Sequence, residues 1–98
     1  MSGNSNVVIK LKNSDVINIT TYLVDQRIQC IENVRLEEII ENVEISGNPK
    51  VKEKRLNVLV ETMAKVNLVT KFRSNGFDYV SLTNGGIKAY EAYIQEGQ

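Results

Sequence analysis

Asn75-Gly76 is the feature that most constrains what this chain can fold into. Asn-Gly suits the two-residue type I′ turn, whose twist matches that of two antiparallel strands. Before it stands Leu68-Val69-Thr70-Lys71-Phe72, and after it Phe77 to Leu82. In the second segment Phe77, Tyr79 and Ser81 alternate with Val80 and Leu82. A period of two reads as a half-buried strand. The spacing predicts a hairpin with Arg73-Ser74-Asn75-Gly76 as its turn. The rest of the chain must then offer that hairpin an apolar surface.

The remaining patterns are helical. Asn13-Ser14-Asp15 supplies capping side chains, and Val16, Ile19, Leu23, Val24, Ile28 and Ile31 predict an amphipathic helix over 15–31. Cys30, within that pattern, is read as a small buried apolar residue, not a reactive thiol. Asn33-Val34-Arg35 interrupts, with room for a minimal strand that pairs with the hairpin. Leu36, Ile39, Ile40 and Val43 restart a short helix. After Ile45-Ser46-Gly47, Asn48 is a good N-cap and Pro49 a good first helical residue. In the third helix Leu56, Leu59, Val60 and Met63 share one face; Lys50, Lys54, Asn57, Glu61 and Lys65 point away, with Val51 and Val58 beside them. Asn67 ends it, because Asn tolerates the left-handed conformation. Thr83 caps a last helix carrying Ile87, Tyr90 and Ile94, whose first turn Gly85 and Gly86 weaken. Val7, Ile9 and Leu11 alternate, which predicts an N-terminal arm or short strand in 1–14 ahead of one domain over 15–98.

Composition narrows the function. Ninety-eight residues, 42% apolar and 24% charged, describe one globular domain with a modest core. No apolar run approaches the roughly 18–20 residues of a membrane span. The start, MSGNSN, lacks the plan of a secretory signal, so a cytoplasmic location and no membrane partner are expected. With no histidine and one cysteine, neither the usual zinc sites nor a His-based triad can be built, and no carboxylate loop of EF-hand spacing occurs. No catalytic residue, metal ligand or cofactor is expected, and the chain is not read as an enzyme. Glu37, Glu38, Glu41 and Glu44 read as a solvated helix face.

Net charge is zero but unevenly spread. Residues 27–44 carry two cations against five carboxylates, a net −3; residues 48–73 carry seven against two, a net +5. Screening makes local charge decide what a surface attracts.

The order helix, short helix, long helix, hairpin, helix resembles the winged helix-turn-helix family over about residues 15–95. VRLEEIIENV (34–43) is similar to that family's first strand and second helix. RLNVLVETMAKVNLVTKF (55–72) is similar to its recognition helix and first wing strand, with Asn67 where Gly is common. YVSLTNGGIKAYEAYI (79–94) resembles its closing strand and helix, in which Leu-Thr-x-x-Gly recurs as Leu82, Thr83 and Gly86. The likeness is to small one-domain regulators of archaea and their viruses and to MarR-like repressors. The polar break EISGNPK is longer than the tight turn of many members, and the arm NVVIKLKN is extra.

The resemblance implies an α+β fold: a three-helix core, a β-hairpin wing and a C-terminal helix. It implies sequence-specific binding of double-stranded DNA by a small transcription regulator, with the third helix in the major groove. The candidate contacts there are Lys50, Val51, Lys52, Lys54, Arg55, Asn57 and Val58. Lys54 and Asn57 have donors for base edges, Arg55 suits a backbone phosphate, and exposed valines suit thymine methyls. On the wing the candidates are Lys71, Arg73, Ser74 and Asn75, with Asn75 and Gly76 serving the turn first. Tyr90, Tyr93 and Ile94 are candidates for pairing two copies into a homodimer. The rival reading is a winged-helix protein-interaction subunit of a replication or transcription assembly.

Overall fold

The computed structural model describes residues 8–96. Val7 and the rest of the polar start lie outside them. Residues 8–13 form no regular element, yet Leu11 is buried in the core and Lys10 pairs with Glu96 at 3.1 Å. Helix α1 follows, Ser14–Ile28. Asn13 caps it, its side chain accepting from the backbone N–H groups of Asp15 (2.8 Å) and Val16 (3.2 Å).

Helix α1 ends earlier than its apolar spacing suggests. Cys30 adopts φ +69°, and Ile31 N–H closes onto the Gln26 carbonyl at 2.9 Å, a left-handed C-terminal turn. Cys30 is therefore exposed, not buried as expected. Ile28 is 75% exposed and Ile31 is also exposed. The reason lies in the helix period. Ile28 follows Ile19 by nine residues, about 900° of turn at 100° each, which places it on the opposite side.

Strand β1 (Asn33–Arg35) runs directly into helix α2 (Leu36–Asn42). After a loop, Pro49–Val51 form one 3-10 turn, and helix α3 runs Lys52–Lys65. Asn48 caps the 3-10 turn, accepting from Lys50 N–H at 2.9 Å. Asn67, at φ +64°, closes α3 as Cys30 closes α1, with Leu68 N–H on the Met63 carbonyl at 2.9 Å.

Strands β2 (Val69–Ser74) and β3 (Phe77–Leu82) form the hairpin. Only Asn75 (φ +52°) and Gly76 (φ +84°) turn, so Arg73 and Ser74 belong to β2 and not to the turn. The sheet is antiparallel in the order β1-β3-β2, with Val34 opposite Val80. Its inner face presents Val34, Val69, Val80 and Leu82 to Ile19, Leu23, Ile39, Leu56, Val60 and Met63. Its outer face carries Phe72 stacked on Tyr79 at 5.4 Å, and the Arg35 guanidinium 3.9 Å above the Phe77 ring.

Helix α4 (Asn84–Glu96) is seated by Thr83. The Thr83 hydroxyl donates to the carbonyls of Asn67 and Leu68 and accepts from Gly86 N–H at 3.0 Å. Gly86 is buried there, and a Cβ on it would lie 2.2 Å from the Leu68 carbonyl oxygen. The glycine that weakens the helix locally is what lets α4 approach the α3–β2 junction. The described residues thus form an α+β fold of four α-helices and one three-stranded antiparallel sheet.

Candidate nucleic-acid interface

Burial of Leu56, Val60 and Met63 fixes which way α3 faces. At 100° per residue, Lys54, Val58 and Lys65 then form its outward ridge. Val58 is 60% exposed and Val51, one turn before Lys54, is 42% exposed. Lys50 and Lys54 are exposed, and Lys52 is half-buried. Among the described residues, no carboxylate lies within 4.0 Å of the amines of Lys50, Lys52, Lys54 or Lys65. Three such amines at the start of a helix, where the macrodipole is positive, form a field suited to phosphate.

Arg55 is placed differently from that group. Its Nη2 donates to the Asp15 carboxylate at 3.1 Å and to Ser46 Oγ at 3.3 Å. Asp15 is buried at the first turn of α1 and also accepts from Ser46 N–H (2.9 Å) and Ser46 Oγ (2.8 Å). The Ser46 N–H is the largest influence holding the Asp15 carboxyl below its ordinary pKa; burial opposes it, and Ser46 Oγ and Arg55 reinforce it. Arg55 ties α1, the loop and α3 together through Nη2, and its side chain stays 45% exposed.

Asn57 turns from the ridge into a cleft of about 350 Å³ between α2, α3 and the hairpin tip. Glu37, Glu53 and Asp78 line that cleft, so its surroundings repel phosphate. On the hairpin, Lys71 Nζ is held by Glu61 at 2.8 Å. That hydrogen bond is the leading cause of the lowered Glu61 pKa. Arg73 lies nearer the tip, 69% exposed in its side chain, with Nη2 on the Gly76 carbonyl at 3.3 Å and Nη1 3.8 Å from Asp78. Ser74 and Asn75 are exposed beside it.

At the other end, Tyr90 lines a groove of about 350 Å³ with Val24, Ile28, Leu82 and Ile87. Tyr93 and Ile94 are exposed on α4. Sequence reasoning missed Asp15 and Ser46 as partners of Arg55, which stand 40 and nine residues away along the chain. It also missed Arg35, whose stacking on Phe77 arises from sheet pairing. No local signal marks either.

Among the described residues, no helix is long and apolar enough to cross a membrane. Comparison with protein-family models, with curated proteins and with solved structures finds no match to this chain.

Proposed function

We propose that this chain is a winged helix-turn-helix protein that binds double-stranded DNA, acting as a small dimeric transcription regulator in the cytoplasm. In this reading α2 and α3 are the helix-turn-helix pair, the β2–β3 hairpin is the wing, and β1 is the short strand beside it. The observation that carries it is the outward ridge of α3. Its lysines have no carboxylate within 4.0 Å among the described residues, and an exposed hairpin tip with Arg73 projects from the same domain. Lys50, Lys52, Lys54 and Val58 are the major-groove side of the surface, and Arg73, Ser74 and Asn75 hold flanking backbone. Arg55 positions α3 through Asp15 and Ser46. Tyr93 and Ile94 are the groups a second copy meets on α4. The reading assigns no catalysis and no cofactor.

Titration of duplex DNA at low and moderate salt tests it. Binding is expected to weaken steeply with salt. Lys54→Ala and Arg73→Ala should each reduce affinity and flatten the slope of log K against log salt by about 0.9 per lost phosphate contact. A folded protein that binds no duplex at either salt sinks the reading. One observation favours the rival, a protein-interaction module: Phe72 and Phe77 are exposed on the outer sheet face. Loss of duplex binding with retained folding would turn attention to that face.

A further inference from the structure

The outward stripe of α3 is not what a solvated helix face requires. At positions i, i+3 and i+7 it carries Val51, Lys54 and Val58. Both valines are exposed, so they contribute little to the core. Valine is also a weaker helix former than lysine or alanine, because the preceding turn restricts its χ1. Between them lies a shallow depression of about 280 Å³, lined by Val51, Lys54, Arg55, Val58 and Leu59. Its floor is apolar and its rim cationic.

We propose that this stripe reads thymine, with Val51 and Val58 set against the C5 methyl groups in the major groove; the proposal rests on the duplex-binding reading above. Charge selects the occupant. Lys54 lines the depression and Lys50 is exposed next to Val51, neither with a carboxylate within 4.0 Å among the described residues, so a partner covering these valines must bring negative charge. A duplex does so along its backbone, and the apolar group it presents in the major groove is the thymine methyl. The seven-residue separation also implies a spacing. Val51 ends the 3-10 turn and Val58 lies in α3, so six α-helical steps and one 3-10 step amount to about 11 Å along the axis. For a helix lying along the groove, that reach is about three base-pair steps of 3.4 Å. The inferred target therefore holds two thymines about three pairs apart, with Lys54 between them.

The test begins with selection by the purified protein from a random-sequence duplex pool. The tightest duplex is resynthesised with deoxyuridine, which lacks only the methyl group, at one thymine at a time. At two thymines about three pairs apart, the replacement should weaken binding about fourfold, the effect of one methyl no longer withdrawn from water. Val58→Ala should bind the parent duplex more weakly and lose the thymine–uracil difference at one of these positions, and Val51→Ala at the other. Both substitutions lie on the surface, and circular dichroism checks that folding is kept. Binding unchanged by uracil at every position would overturn thymine reading while leaving duplex binding in place. A pool that is retained without any preferred sequence would overturn it as well. A pool that is not retained by folded protein would overturn both readings and turn the valine stripe toward a protein partner.

Discussion

Cys30, Asn67 and Asn75 are the non-glycine residues with positive φ among the described residues. Asparagine bears that conformation more readily than most side chains; cysteine has no such excuse. The Cys30 side chain is exposed, so little contact offsets a left-handed backbone that disfavours a Cβ by roughly 1–2 kcal/mol. Cys30→Gly should therefore raise stability by about 0.5–1 kcal/mol, after allowance for the looser unfolded chain, as read by urea denaturation. A drop in stability would mean that the thiol makes a contact that matters. Gly86 is the converse. Alanine is the better helix former by about 1 kcal/mol. Yet a Cβ at Gly86 meets the Leu68 carbonyl at 2.2 Å and Leu82 Cδ1 at 2.7 Å. Backbone cannot step aside as a side-chain tip can, so Gly86→Ala should lower stability, by about 1–3 kcal/mol. An unchanged urea midpoint would show that α4 shifts without loss.

Among the elements, the contact with most leverage joins α1, the α2–α3 loop and α3 through Asp15, Ser46 and Arg55. The Asp15 pKa is lowered on folding, chiefly by the Ser46 N–H. The unfolded chain therefore takes up the proton first as pH falls. The stabilisation is fully present above the unfolded value of about 3.9 and is lost as pH drops through the depressed folded value. Wild-type protein should lose stability on acidification below about pH 4, and Asp15→Asn should show a flatter profile there and a lower plateau at neutral pH. Parallel profiles, from denaturation at a series of pH values, would remove Asp15 from that role. The same contact shows why element order was legible and element function less so. Caps, period and turn chemistry act within a few residues, and Asn13, Asn48, Asn67, Asn75 and Thr83 all perform the tasks their types suggest. The helix boundary at Ile28 is less legible, because the helical period does not place all six apolar residues of that segment on one face.

At the scale of the whole molecule, charge is segregated. Among the described residues Lys50, Lys52 and Lys54 have no carboxylate within 4.0 Å, whereas Glu37, Glu53 and Asp78 gather in the cleft beside Asn57, so the outward ridge attracts a polyanion and that cleft resists one. The dimer we propose uses a third region. Tyr90 is half-buried in its groove, which leaves Tyr93 and Ile94 as the groups within reach of a second copy. Sedimentation should give the mass of two chains, and Ile94→Asp should give one. A wild-type monomer at high concentration would take the dimer out of the reading without touching the proposed duplex-binding surface.

The amino-acid sequence by itself determined the succession of elements, the place of the hairpin turn and the face of α3 that meets the core. Those depend on sterics and hydrogen bonds between near neighbours and on a simple period. Tertiary structure decided which charges remain available and which apolar groups are covered. Arg55 and Lys71 are held by Asp15 and Glu61, the Phe77 ring lies under Arg35, and Gly86 is fixed by the Leu68 carbonyl. Each of those outcomes depends on a partner brought close only when the chain folds, and no periodicity along the chain records that proximity.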